Sequence, residues 1–392
     1  METAKKNVAV LSACQALLFT NNSTVIALNG LAGYALASNK ALATLPVTAW
    51  VVGAALTTFP ASLLMKRIGR RAGFTIGAFV GVGGALLCAL ALDVSSFWLL
   101  CLGTMVFGAY NAFAQYYRFA AADAVGADFR AKAISLVMAG GLVGGLVGPE
   151  TSKHTVDLFP THFLGGYLVL IVFMVAAILL LQLLDIPPPK AADFKEPARP
   201  LKVIMAQPVF LLGLLGGAAS YGVMNLLMTA TPLAMAVCGH PYSAAATVIG
   251  WHVIGMFGPS LFTGSLIRRF GVVNVMFAGV LLFYVCVGIA LSGVSIPHFW
   301  FALVILGIGW NFLFIGGTTL IAEAARPSER AKAQGVNDLI IFVVLATSSF
   351  SSGVLLERNG WQLINYLALP VVTLIGAAIG WYALRRRAAP AV

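Results

Sequence analysis

The sequence predicts an all-α membrane protein with twelve transmembrane helices in two pseudo-symmetric six-helix bundles. Three observations support this fold class: the composition, the length of the apolar runs and an internal repeat. Of the 392 residues, 60% are hydrophobic and 9% are charged, a balance foreign to ordinary soluble domains. Apolar runs of about 20 residues recur along the chain, and that length spans the hydrocarbon core of a bilayer as a helix.

The apolar runs predict twelve spans separated by short polar loops. The spans cover roughly residues 7–35, 44–65, 72–92, 97–124, 130–156, 163–184, 206–236, 243–266, 272–292, 298–325, 331–355 and 361–384. The longest polar break follows the sixth span and begins with three consecutive prolines, residues 187–189. We therefore predict an N-terminal six-helix bundle over 1–186, a cytoplasmic linker over 187–205 and a C-terminal six-helix bundle over 206–392.

The basic residues predict the orientation. With the N-terminus in the cytoplasm, all 24 lysines and arginines fall on the cytoplasmic side except Lys40, Lys153 and Arg358 outside and Arg118 within a span. Cytoplasmic loops of membrane proteins carry such an excess of basic residues. Both termini are therefore predicted to be cytoplasmic. The net charge of +11 follows from this topology, so we expect the lipid bilayer as a partner and no nucleic acid. We also expect a functional monomer.

The two halves of the chain repeat each other. Residues 108–133 and 308–333 share a pattern at an offset of 200, so that Asn111 matches Asn311. Parallel repeats with a binding site near the membrane midplane, where the two repeats meet, are typical of secondary transporters.

The repeat also places an acid and a base at the inner mouth of each half. Asp123 precedes Arg130 in the first half, and Glu323 precedes Arg330 in the second. We interpret these as two cytoplasmic gate pairs that break and reform as the halves rock.

Three other charged residues lie in or beside the spans. Arg118 is either a cavity charge or the partner of Asp123. Glu150 either binds a coupling proton or an incoming cation, or pairs with Lys153. Asp338, at the start of the eleventh span, is predicted to join the second gate, because ionisable residues within membrane spans usually mark functional sites.

Two short motifs flank the loop around His240. Met224-x-x-x-Met228 stands before the loop and His252-x-x-x-Met256 after it, at mirrored distances. A spacing of four places each pair on one helix face, and thioethers with imidazole suit copper. By chance, a chain of this composition is expected to contain a Met-x-x-x-Met motif about 0.3 times and a His-x-x-x-Met motif about 0.14 times. Methionines also pack membrane interiors without further function.

The chain resembles the major facilitator superfamily over its whole length. Ser62-x-x-x-Lys66-Arg67-x-Gly69-Arg70-Arg71 is similar to the family's loop motif between spans two and three, where the family usually has Gly and Asp at the positions of Ser62 and Lys66. The paired Met and His motifs resemble the CcoA-like copper importers of that superfamily. The resemblance implies import of copper, as substrate and not as cofactor, across the bacterial inner membrane for cytochrome cbb3 oxidase assembly. It assigns Met224, Met228, His252 and Met256 as metal ligands and Cys238 as a functional thiol.

Two alternatives accompany the copper hypothesis. Relatives of that subfamily without these ligands include riboflavin transporters, and in such a carrier Trp251, Tyr221 and Trp310 would line an aromatic cavity. A membrane metalloenzyme such as a haem-copper oxidase is disfavoured, because five scattered histidines do not supply its ligands. We therefore expect a transporter and not an enzyme.

Overall fold

The regular secondary structure of the protein is helical wherever it is described. A computed structural model describes residues 2–125, 130–186, 199–326 and 329–388, with the backbone alone at 122, 123, 130–132, 135, 330–332 and 386–388. The helices are α1 (Glu2–Leu36), α2 (Leu45–Ile68), α3 (Arg70–Asp93), α4 (Phe97–Ala114), α5 (Tyr117–Asp123), α6 (Arg130–Thr155), α7 (Leu164–Leu181), α8 (Leu201–Met205), α9 (Pro208–Leu214), α10 (Ser220–Val237), α11 (Tyr242–Phe257), α12 (Ser260–Phe270), α13 (Val272–Ser292), α14 (Ile296–Ala324) and α15 (Arg330–Ala388).

These helices confirm the predicted fold class. Within the described ranges, nine helical stretches are long and apolar enough to cross a membrane. One of the nine, residues 333–385, contains two predicted spans, which meet at the non-helical residue Gly360 within α15. The more polar helices α1 and α6 are not among the nine, although both are long enough to span a bilayer.

Several predicted spans are interrupted helices. A π-helical turn, Leu215–Ala219, joins α9 to α10, and such turns are frequent at functional sites. Between α11 and α12 the helix is broken at Gly258 and Pro259, because proline has no N–H to continue the ladder. Gly360 has φ 76°, a left-handed conformation that glycine adopts readily, and it separates the last two predicted spans.

The chain forms two compact units. Unit 1 comprises Met1–Lys190 and Thr229–Ile254, and unit 2 comprises Ala191–Met228 and Gly255–Val392. Unit 1 therefore contains the end of α10 and most of α11 in addition to the first six predicted spans. The division into two six-helix bundles with a linker over 187–205 stays a prediction.

In unit 1, helix α1 packs closely on α6. The Ser23 hydroxyl donates to the Gly144 carbonyl at 3.0 Å, and the Thr24 hydroxyl donates to the Gly148 carbonyl at 3.0 Å. Small residues allow membrane helices to approach this closely, and hydroxyl groups then bond across the contact. The segment 229–254 also packs on α6, since a Cβ on Gly250 would lie 2.9 Å from the Pro149 side chain.

In unit 2, helix α14 packs on α9, the π-helical turn and α13. A Cβ on Gly317 would lie only 2.6 Å from the Gly213 carbonyl oxygen, so this crossing requires glycine. The Asn225 amide of α10 reaches three oxygens of α15, at 2.7 to 3.1 Å. These contacts bring the middle of the seventh predicted span against the tenth and eleventh, and they position the residues described next.

Candidate functional site

Four aromatic side chains, which we call the aromatic cluster, meet in unit 2. The ring of Trp310 is nearly parallel to that of Phe314, at 4.8 Å and 11° between planes. Tyr221 meets Trp310 edge-on at 5.0 Å, and Phe257 meets it at 6.1 Å. All four lie near the middle of their predicted spans, the depth at which transporters place their substrate sites.

The aromatic cluster combines a buried centre with accessible flanks. Trp310 is 3% exposed, whereas Tyr221, Phe257 and Phe314 are half-buried. Aromatic rings favour offset-stacked or edge-to-face partners, so half-buried rings of this kind suit a flat ring system. The indole Nε1 of Trp310 is buried without a hydrogen-bond partner within the described part of the chain.

A polar brace holds α14 beside the cluster. The Asn311 amide donates to the Met256 carbonyl at 2.6 Å and to the Ser260 hydroxyl at 2.6 Å. Its side-chain oxygen accepts from the Thr263 hydroxyl at 2.7 Å. Asn311 thus bridges the break between α11 and α12, where backbone groups would otherwise lose their partners. In unit 1 the matching Asn111 accepts from Asn22 at 3.0 Å, so the repeat conserves the residue type and not its partners.

The four predicted copper ligands are all buried. Met224 is 1% exposed, Met228 5%, His252 0% and Met256 6%. His252 belongs to unit 1, and the three methionines belong to unit 2. Packing of a membrane interior would bury these side chains in the same way. That the four side chains meet at one bound ion stays a prediction.

The predicted gate pairs fall largely outside the described side chains. The side chains of Asp123, Arg130 and Arg330 are outside that part, and Glu323 is exposed. The Asp338 carboxylate accepts from the Gln334 amide at 3.0 Å and from the Asn337 amide at 3.1 Å. The gate pairs therefore stay predictions.

The remaining predicted residues have identifiable surroundings. Glu150 accepts from Lys153 at 2.8 Å, which agrees with the pairing alternative, and it lies 3.3 Å from the His154 ring. The Arg118 guanidinium lies 4.8 Å from the centre of the Phe119 ring. Cys238 is a free, exposed thiol, and its functional role stays a prediction.

An ion pair in unit 2 was not predicted from the sequence. Arg199 donates to both carboxylate oxygens of Glu329, at 2.8 and 2.7 Å, and also to the Ala324 carbonyl. The Glu329 side chain is completely buried. These hydrogen bonds, with those from the Arg199 and Arg326 backbone amides, hold the pKa of Glu329 well below its ordinary value. The pair fastens the chain before α8 to the loop before α15.

The sequence named two members of the aromatic cluster and missed two. Tyr221 and Trp310 were predicted as cavity aromatics. Phe314 could have been found, because it follows Trp310 by four residues and so shares its helix face. Phe257 gave no comparable signal. Trp251, the third predicted aromatic, is 42% exposed and belongs to unit 1.

Relatives of known sequence resemble this chain over nearly its whole length. The riboflavin transporter RfnT of Brucella anthropi is 43% identical over 375 residues, which cover 95% of this chain and 94% of the relative. The uncharacterized MFS-type transporter YddS of Bacillus subtilis is 29% identical over 365 residues, covering 87% of this chain and 82% of the relative.

The prediction of copper import is wrong. A relative that is 43% identical and covers 95% of the chain is a riboflavin transporter, and this finding contradicts copper import. The same finding contradicts three related predictions: copper as a partner, membership of the CcoA-like subfamily, and a role in cytochrome oxidase assembly. The physical reason is that a spacing of four shows that two residues share a helix face, but not what that face contacts.

Solved structures of transporters share the fold. A bacterial homolog of the human lysosomal transporter Spinster, in an inward-facing and unoccupied conformation, superposes with a TM-score of 0.72 at 15% identity, covering 99% of each chain. The nucleoside transporter NupG superposes with a TM-score of 0.71 at 12% identity, covering 95% of this chain and 98% of the other. The sequence profile of the Major Facilitator Superfamily matches residues 11–271 and 242–392. The chain is therefore a multi-pass membrane transporter that belongs to the major facilitator superfamily.

Proposed function

We propose that this protein carries riboflavin, or a closely related flat heteroaromatic solute, across the membrane by alternating access. The observation that carries the proposal is the aromatic cluster in unit 2, with Trp310 in contact with the other three rings. The 43% identity to a riboflavin transporter supports the same substrate class.

The chemistry of the cluster fits a flavin ring. The isoalloxazine of riboflavin is a flat tricycle, and contacts between aromatic rings contribute about 0.5–1.5 kcal/mol beyond the area that they bury. Tyr221 and Phe314 are half-buried and offer partly open ring surfaces. A transport site must also release its substrate, and a few ring contacts give the moderate affinity that release requires.

The topology and gates form part of the proposal. We place the protein in the bacterial inner membrane with both termini in the cytoplasm, in agreement with the distribution of its lysines and arginines. Glu323 with Arg330, and Asp123 with Arg130, form the cytoplasmic gate pairs. Reversing the charge of either partner alone is expected to abolish transport, and exchanging Glu323 and Arg330 together is expected to restore part of it.

Uptake of labelled riboflavin tests the proposal. The host is a bacterium that makes no riboflavin and lacks its own importer, carrying either this protein or an empty vector. Expression is expected to restore both growth at low external riboflavin and uptake of the label. Tyr221→Leu is expected to lower uptake, because it removes a ring that meets Trp310 at 5.0 Å.

Phe301→Leu is the matched control. Phe301 lies on α14, as Trp310 does, but it is 52% exposed and is not part of the aromatic cluster. This variant is expected to transport as the parent does, with protein abundance measured for each variant. Riboflavin uptake equal to that of the empty vector, by a protein present in the membrane, would overturn the proposed function.

A further inference from the structure

The indole N–H of Trp310 is a buried hydrogen-bond donor for which the described residues supply no acceptor. Its Nε1 has no hydrogen-bond partner within the described residues, and the side chain is 3% exposed. Trp361, also in unit 2, shows the usual arrangement, since its Nε1 donates to the Ala290 carbonyl at 3.1 Å. More than about 90% of buried polar groups in proteins have a partner, so the Trp310 donor requires an explanation.

The position of this donor is held by its surroundings. Phe314 covers the indole at 11° between planes, and Tyr221 meets it edge-on. The next residue, Asn311, is fixed to Met256 and Ser260 by two hydrogen bonds of 2.6 Å. The backbone that carries the indole is therefore anchored, and the N–H has a defined direction.

The chemistry of the site limits which groups can accept a hydrogen bond from the Trp310 N–H. A tryptophan N–H donates only, so its partner must be an acceptor. A buried water needs two to four polar partners. The rings of Tyr221, Phe257 and Phe314 contact Trp310, and both amide hydrogens of Asn311 are already used. A flat ligand with an acceptor on its edge meets both conditions, since it can contact the rings and accept from the indole.

We propose that the Trp310 N–H is a specificity-determining donor to an acceptor on the ring edge of the transported solute, either a carbonyl oxygen or a ring nitrogen. This inference rests on the proposed function and sharpens it. It assigns the substrate class as planar heteroaromatic molecules that carry such an acceptor. A flat hydrocarbon ring of the same size is transported poorly.

Trp310→Phe tests the inference, because it removes the N–H and keeps an aromatic ring. KM and maximal rate are measured for riboflavin in vesicles that contain the purified protein. One net hydrogen bond corresponds to roughly a 3- to 10-fold change in affinity, so KM is expected to rise by that factor with a smaller change in maximal rate. Trp361→Phe is the matched control, and its KM is expected to stay at the parental value.

Riboflavin analogues identify the acceptor. The panel comprises 1-deazariboflavin and 5-deazariboflavin, in which carbon replaces one ring nitrogen, and the 2-thio and 4-thio analogues, in which sulfur replaces one carbonyl oxygen. For one analogue, the parent and Trp310→Phe are expected to have the same KM, because the acceptor is missing or weakened. An unchanged KM for riboflavin in Trp310→Phe, or an equal rise for every analogue, would overturn the inference. Failure of the parent protein to transport riboflavin would instead overturn the proposed function.

Discussion

Replacing Asn311 by alanine removes the brace across the break between α11 and α12. The asparagine amide donates to the Met256 carbonyl and to the Ser260 hydroxyl, each at 2.6 Å. Its oxygen accepts from Thr263, whose hydroxyl also lies 2.8 Å from the Pro259 carbonyl. Because a hydroxyl has one hydrogen, Thr263 keeps a partner in the variant, whereas the two amide bonds are lost outright.

The expected cost follows from these two bonds. A buried hydrogen bond contributes roughly 1 kcal/mol net, and leaving its partner buried and unsatisfied adds to the loss. We expect Asn311→Ala to lower the free energy of unfolding by about 2–3 kcal/mol. For a unit of this size that corresponds to a fall in Tm of roughly 5–10 °C.

The measurement is thermal unfolding of the purified full-length protein in detergent, followed by intrinsic fluorescence. Asn274→Ala is the control, because Asn274 is an exposed asparagine whose amide donates to the Phe270 carbonyl at 2.9 Å. Its Tm is expected to change by no more than about 2 °C, since exposed substitutions usually cost under about 0.5 kcal/mol. Equal Tm values for the two variants would refute the assignment of Asn311 as a brace.

Three further predictions concern the ion pair, the helix crossing and the topology. Because the pKa of Glu329 is lowered from its ordinary 4.5, the pair stabilises the protein above that pH, and the stabilisation is lost as the pH falls through the lowered pKa. The Tm difference between the parent and Glu329→Gln should therefore shrink below about pH 4.5; a constant difference would contradict this. Gly317→Ala should lower the free energy of unfolding by about 1–3 kcal/mol through overpacking. Gly380→Ala, which has open space at its Cβ, should leave it unchanged. Equal Tm values for the two variants would contradict a tight helix crossing at Gly317. A reporter fused after Lys195 should be cytoplasmic and one fused after Gly239 external; reporters on the same side would exclude the twelve-span topology.

The fold could be predicted because its determinants are local or repeated. Apolar runs of bilayer length predicted the helical membrane fold, and the match of Asn111 with Asn311 indicated an internal repeat. The positions at which the helices break were harder to predict from the sequence. Pro259 and Gly360 are visible in the sequence, but glycine and proline also occur within continuous membrane helices, as Pro370 does in α15.

The candidate site was predicted only in part. Tyr221 and Trp310 were named in an alternative, while the preferred hypothesis selected methionines and a histidine at a spacing of four. The spacing of four is equally compatible with packing of a membrane interior, whereas Tyr221 and Trp310 lie on different helices and no spacing connects them. The ion pair of Arg199 and Glu329 had no local signal at all, because its two residues lie 130 positions apart.

The amino-acid sequence thus decided the membrane class, the approximate spans and the superfamily, since these follow from apolar length and from patterns within each helix. Packing decided which of the polar and aromatic residues meet. Asn111 and Asn311 occupy matching positions in the repeat, yet one bonds to a neighbouring asparagine and the other bridges a broken helix. A residue's position in the chain determines its depth and its helix face, whereas the groups opposite that face come from distant segments that only the folded chain brings together.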